Sequence, residues 1–164
     1  MSGDDRFERI VKTHGAALGR LAAAWTPDPE AREDLLQEIL LALWRALPRF
    51  RGDASERTFV FRVAMNRALS HRFRRRPPGE PLDSAAHVAD PARTPEAQAT
   101  ASQERAMLLS AVQSLPSTMR EVLTLSLEGF SGAEVAAVLG ISENNVHVRL
   151  TRARKALQEA LHRV

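Results

Sequence analysis

The chain has 164 residues, 44% hydrophobic and 26% charged; at ~100 to 200 residues per domain this leaves room for one ordinary domain or two small ones and excludes a large multidomain enzyme. Cysteine is absent, which excludes disulfides, thiolate nucleophiles and cysteine metal sites together and fits a reducing compartment. The formal charge is only +3, but the 23 cations are 21 Arg and 2 Lys, and their placement says more than their sum.

The opening MSGDDRFERI carries acids where a secretory leader needs bases and then an apolar run. No apolar stretch approaches the ~20 residues of a membrane span, so a soluble cytoplasmic protein without membrane insertion is expected. Phe7, Ile10, Val11, Leu18, Leu21 and Trp25 fit one helix, ended by Thr26-Pro27. Asp28 caps a second, with Pro29 at its first position. Its apolar stripe runs through Leu35, Leu36, Ile39, Leu40, Leu43, Trp44 and Leu47 and stops at Pro48. After the loop RFRGDAS a third helix is expected from Ser55, turning Phe59, Val60, Val63, Ala64, Ala68 and Leu69 inward and running into an arginine cluster that ends at Arg76.

Five of the nine prolines then fall between Pro77 and Pro95. Proline's fixed φ and missing N–H prevent regular structure there, so residues 77–101 read as a flexible linker. Beyond it, a helix opened by Thr94 and Pro95 is expected through Leu115, and another over Met119 to Glu128, capped by Gly129. Ser131 and Glu134 stand at capping-box spacing before a short helix, Gly140 breaks it, and Ser142 caps the last helix, whose buried edge is Val146, Leu150, Ala153, Leu157 and Leu161. A short helix, a glycine turn and a longer helix form a helix-turn-helix. The expected fold is therefore all-α: two small helical domains, 1–76 and 102–164, joined by the proline-rich linker, the second carrying the helix-turn-helix.

Charge follows the same segments. From Arg57 to Arg76 there are seven Arg and no acid; residues 77–104 hold one Arg against five acids; from Val146 to Leu157, Arg149, Arg152, Arg154 and Lys155 again lie in an acid-free run. Two basic patches divided by an acidic spacer suggest two contacts with one polyanion. On the last helix a 3.6 period puts Asn144, Val148, Thr151, Arg152 and Lys155 opposite the buried edge, flanked by His147 and Arg149. Asn suits adenine, Arg suits guanine, and Val or Thr methyls suit thymine methyls, while Ser142 and the first-turn N–H groups can hold a phosphate. Glu159 and His162 have E-x-x-H spacing but no matching pair on another helix, and no glycine-rich phosphate loop, G-x-S-x-G or H-E-x-x-H occurs. Neither catalysis, a metal nor a cofactor is expected.

The stretch LLSAVQSLPSTMREVLTLSLEGFSGAEVAAVLGISENNVHVRLTRARKAL resembles region four of bacterial sigma factors of the small extracytoplasmic-function type, and EDLLQEILLALWRALPRFRG with TFVFRVAMNRALSHRFRRR resembles their region two. Both blocks in this order around a proline-rich linker are far more specific than either alone. The resemblance implies a dissociable subunit of RNA polymerase that binds the core enzyme and directs it to promoter DNA, and whose relatives are often held inactive by an anti-sigma factor. It implies that Asp34, Gln37 and Glu38 dock on the polymerase. It also implies that Ser142, Asn144, Asn145, His147, Val148, Arg149, Thr151, Arg152 and Lys155 read the upstream duplex. Asn66 would contact a base of the opened, single-stranded downstream element, with Arg62, Arg67, Arg72, Arg74, Arg75 and Arg76 on its phosphates and an unstacked base held in the loop Arg51 to Arg57.

Two physical points bear on this reading. Glu30, Asp34 and Glu38 lie four apart on one helical stripe, where like charges repel by ~0.2 to 0.5 kcal/mol per pair and no cation on the stripe relieves them, so a basic partner is expected. The rival is a stand-alone helix-turn-helix regulator whose first unit dimerises; an acid-free seven-Arg segment has no evident use in a dimerisation module.

Overall fold

A computed structural model describes residues 2–74 and 100–163. Arg75, Arg76 and nearly all of the expected linker, including the helix start at Thr94, lie outside them. Among the described residues the regular structure is helical: α1 (Gly3–Trp25), α2 (Pro29–Ala46), a 3-10 turn (Leu47–Arg49), α3 (Glu56–Arg74), α4 (Thr100–Gln113), α5 (Ser117–Leu127), α6 (Gly132–Leu139) and α7 (Glu143–His162). The all-α expectation holds, and the helices form two bodies, α1 to α3 and α4 to α7.

Local chemistry sets the boundaries. Ser2 and Asp5 make a capping box for α1, and Thr26, in extended conformation, ends it while its hydroxyl donates to the Ala22 carbonyl at 2.6 Å. The Asp28 carboxylate accepts from the Glu30 N–H at the start of α2, with Pro29 at the first position, where its missing N–H costs nothing. Ser55 accepts from the Thr58 N–H at 3.1 Å and opens α3. Gly129 (φ 85°) follows α5, and Gly140 (φ 68°) caps α6 in the left-handed region.

Nothing lies within 4 Å of where a Cβ on Gly140 would sit, so Gly140→Ala tests backbone strain alone. A left-handed non-glycine residue costs roughly 1 to 2 kcal/mol. Thermal unfolding of that variant is expected to shift down by about 2 to 8 °C; an unchanged midpoint would mean that the turn relaxes to another geometry.

In the first body Ile10, Leu18, Leu35, Ile39, Leu43, Val60 and Ala64 are fully buried. α3 is more buried than its apolar stripe suggested: Phe61 and Met65 are 1% exposed and His71 is 3% exposed. The reason is cover from both bodies. α1 and α2 pack on α3 and so does α6 of the second body, and the Phe61 ring meets Phe130 edge-on with centroids 4.8 Å apart. Conversely Trp44, counted into the buried stripe of α2, is 51% exposed, and Leu41 beside it is 47% exposed. The cores of the two bodies form one continuous cluster, with Phe61 meeting Phe130 between them.

Candidate nucleic-acid interface

The helix-turn-helix is built as its caps require. The Ser131 hydroxyl accepts from the Glu134 N–H and the Glu134 carboxylate accepts from the Ser131 N–H. The bond from the Ser131 N–H, and after it the Ser131 hydroxyl, hold the Glu134 carboxyl below its usual range, assisted by Arg57. The Ser142 hydroxyl accepts from the Asn145 N–H at 3.1 Å, leaving other first-turn N–H groups of α7 facing outward. Val146 and Ala153 anchor α7 in the core, and Asn144, His147, Val148, Thr151, Arg152 and Lys155 form its exposed face. Asn145 and Arg149 sit apart from that face. Both are half-buried; Arg149 donates from Nε to Asn145 Oδ1 at 3.0 Å and lies 3.7 Å from Glu121 on α5. Of the nine residues expected to read the upstream duplex, seven are exposed and Asn145 and Arg149 are half-buried.

A second cationic surface lies between α2 and α3. Arg45 and Arg49 at the end of α2 and its turn face Asn66, Arg67 and Ser70 of α3 across a cleft of about 450 Å³ floored by Ala42, Ala46 and Val63. Among the described residues no carboxylate lies within ion-pair distance of these three arginines. Arg45 and Arg49 were not among the expected site residues, although a signal existed: residues 39–52 form a third acid-free run, with Arg45, Arg49 and Arg51. Beside the cleft, Phe50 and Phe59 stack with centroids 4.4 Å apart, and Arg6 lies over the Phe50 ring.

The remaining arginines of α3 are already engaged. Arg62 donates to the Ala137 carbonyl at 2.7 Å, Arg72 to the Ser117 hydroxyl at 2.6 Å, and Arg74 to the Glu38 carboxylate at 2.7 Å. Arg75 and Arg76 lie outside the described residues.

On α2, Asp34 and Gln37 are exposed. Glu38 corrects the expectation of unrelieved repulsion: its carboxylate is paired with Arg74 and lies 3.4 Å from His71 Nδ1. The relief comes from α3 rather than from the acid's own helix. At spacings of three and four, Leu41 and Trp44 continue the face begun by Asp34 and Gln37, so that a polar start ends in an exposed apolar patch.

A capped helix-turn-helix and a separate arginine-lined cleft have the makeup of a nucleic-acid-binding protein. Comparison with known proteins gives the family. Residues 10–77 match Sigma-70 region 2 and residues 105–157 match Sigma-70, region 4. The chain is 34% identical over 171 residues to the RNA polymerase sigma factor CnrH of Cupriavidus metallidurans, covering 98% of this chain and 89% of that protein. It is 28% identical to the ECF RNA polymerase sigma-E factor of Escherichia coli, covering 94% and 86%. The solved structure of CnrH in complex with the cytosolic domain of CnrY superposes with a TM-score of 0.70 at 27% identity, over 97% of this chain and 89% of that one. The chain belongs to the sigma-70 family, in its extracytoplasmic-function group. Its function is that of an RNA polymerase sigma factor. No helix among the described residues is long and apolar enough to cross a membrane.

Proposed function

We propose that this sigma factor divides promoter recognition between its two bodies, residues 1–76 and 102–164, and performs no chemistry of its own. The exposed face of α7, with Asn144, His147, Val148, Thr151, Arg152 and Lys155, reads the upstream duplex, and Ser142 with the first-turn N–H groups holds a phosphate. The α2–α3 cleft takes the opened downstream strand: Asn66 meets a base edge, Arg67 and the newly found Arg45 and Arg49 take phosphates, and Phe50 and Phe59 lie beside it as aromatic surfaces. Asp34, Gln37 and Glu38 dock on the core polymerase, with Leu41 and Trp44 extending that face. The partners are core RNA polymerase, promoter DNA and an anti-sigma factor, and the compartment is the cytoplasm, where those partners are. The observation that carries this reading is the coexistence of two cationic surfaces on separate bodies, one on a capped recognition helix and one in a cleft around an asparagine.

Two substitutions separate base reading from phosphate holding. Arg152→Ala is expected to weaken upstream recognition by about 1 to 3 kcal/mol in a manner that depends on one or two base pairs. Arg67→Ala is expected to lower initiation about equally across promoters and to flatten its salt dependence. Transcription from a promoter series mutated one base pair at a time distinguishes them; identical profiles for both variants would contradict the assignment.

A further inference from the structure

One face of α4, with Arg105, Leu108, Leu109 and Val112 at spacings of three and four, lines a cavity of about 550 Å³. α4 packs on α1 and α7, and α1 packs on α5, which leaves this space between α4 and α5. Its floor is core: Leu21, Phe61, Val112 and Leu125 are buried. Leu108 and Leu127 line it where solvent reaches, at 41% and 60% exposed. Two guanidinium groups border it, and they differ. Arg20 is held by the Glu128 carboxylate in a bidentate pair at 2.7 and 2.9 Å. Arg105 is exposed, and among the described residues no carboxylate lies within ion-pair distance of it. The one hydroxyl of the lining, on Thr124, donates to the backbone carbonyls of Arg120 and Glu121.

We propose that this cavity binds a straight-chain alkyl carboxylate, with the chain on the floor of Leu21, Phe61, Val112 and Leu125 and the carboxylate on Arg105. Small-molecule sites are concave, roughly 300 to 1,000 Å³ in volume, and apolar apart from a few polar groups that fix orientation. The cavity has that size and that makeup. Its floor presents no polar group in need of a partner, which suits a hydrocarbon chain and not a sugar or a peptide. The sign of the head group follows from the rim. Arg20 and Glu128 cancel, so the uncompensated charge is the Arg105 cation, whose planar fork of donors matches the two oxygens of a carboxylate. A protein partner needs ~800 Å² of surface on each side, whereas Leu108 and Leu127 are the only large apolar side chains of the lining that stand well exposed. No residue of the cavity belongs to the α7 face, the α2–α3 cleft or the row from Asp34 to Trp44, so the site is independent of the surfaces assigned above.

Titration calorimetry of the full-length protein with sodium decanoate, below the concentration at which it forms micelles, tests the site. Saturable binding of one decanoate per chain is expected, with a thermal midpoint that rises as the site fills, because a ligand that binds the folded state alone stabilises it. Decyltrimethylammonium, with the same chain and the opposite head, is expected to bind at least about tenfold more weakly. Arg105→Glu is expected to weaken decanoate by about tenfold or more and to narrow the gap between the two heads. Lys12→Glu, an equal change of net charge at an exposed position of α1 outside the cavity, is expected to change the affinity less than about twofold, which separates the rim from general attraction to a basic protein. Ala23 is half-buried in the lining, and Ala23→Phe, which fills the cavity, is expected to abolish binding of both probes; the exposed Arg105 and Lys12 variants decide the matter if that one fails to fold. Non-saturating uptake with a falling thermal midpoint would show surfactant binding only and overturn the proposal. So would equal affinity for the two heads, or decanoate binding that Arg105→Glu leaves unchanged.

Discussion

Asp34→Lys is expected to abolish capture of core RNA polymerase at concentrations where the unaltered protein binds, and with it promoter-dependent transcription, while the helices remain folded. Asp34 is exposed on α2, in one row with Gln37, Leu41 and Trp44. An acid and a glutamine leading into an exposed leucine and tryptophan have the makeup of a protein interface: an apolar centre, with charge that selects the partner. Reversing that charge places like charges together across the interface, which costs several kcal/mol, so capture is expected to fall by at least about a hundredfold. Asp34 is exposed in the second turn of α2, and loss of its favourable interaction with the helix dipole costs about 1 kcal/mol or less. Co-sedimentation with core polymerase, with circular dichroism as the control for folding, checks both halves; undiminished capture by a folded variant would remove α2 from the interface.

Arg120→Met is expected to give the largest loss of stability. Arg120 is 1% exposed on α5, and one of its terminal nitrogens donates to the carbonyls of Gln113 at 2.6 Å and Leu115 at 2.7 Å. Its guanidinium lies 4.9 Å from the Trp25 ring centroid, so the side chain ties the α4–α5 turn to the end of α1. Burial, with the like charge of Arg72 as a smaller cause, pushes its pKa down to about 9, which leaves it charged at neutral pH. Methionine fills similar volume and removes the desolvation cost of the cation, a gain in its favour. Against this, the two carbonyls lose charge-assisted bonds worth ~1.5 to 3 kcal/mol each and remain buried. The second effect dominates, and a net loss of about 3 kcal/mol is expected. Thermal unfolding should shift down by roughly 6 to 12 °C. A variant as stable as the parent would show that the turn finds other donors for those carbonyls.

How far the sequence could be read followed the range of the interactions involved. Asp28 before Pro29, Ser131 with Glu134, Gly140 and Ser142 act within four residues of themselves, and each was legible from the residues alone. The exposed face of α7 followed from a helical period anchored by Val146 and Ala153. Long-range relations were not legible. Glu38 finds Arg74 across 36 positions, which no pattern along α2 could show. Phe61 looks excess to the apolar stripe of α3 until Phe130 of the second body covers it. Trp44 belongs to the same apolar stripe as its buried neighbours, and only packing reveals that it faces outward. Arg45 and Arg49 were overshadowed by the denser arginine run that follows, although their own stretch is equally free of acid.

The division of promoter recognition between two cationic bodies is tested most directly by transcription with purified components. The full-length protein and core RNA polymerase are incubated with a library of randomised promoter fragments, and the transcripts are sequenced. Transcription is expected only when both proteins are present, with two enriched blocks of bases, an upstream one whose preference changes in Arg152→Ala and a downstream one whose use declines in Asn66→Ala. No transcript from any template, or a single enriched block indifferent to Asn66, would contradict the account.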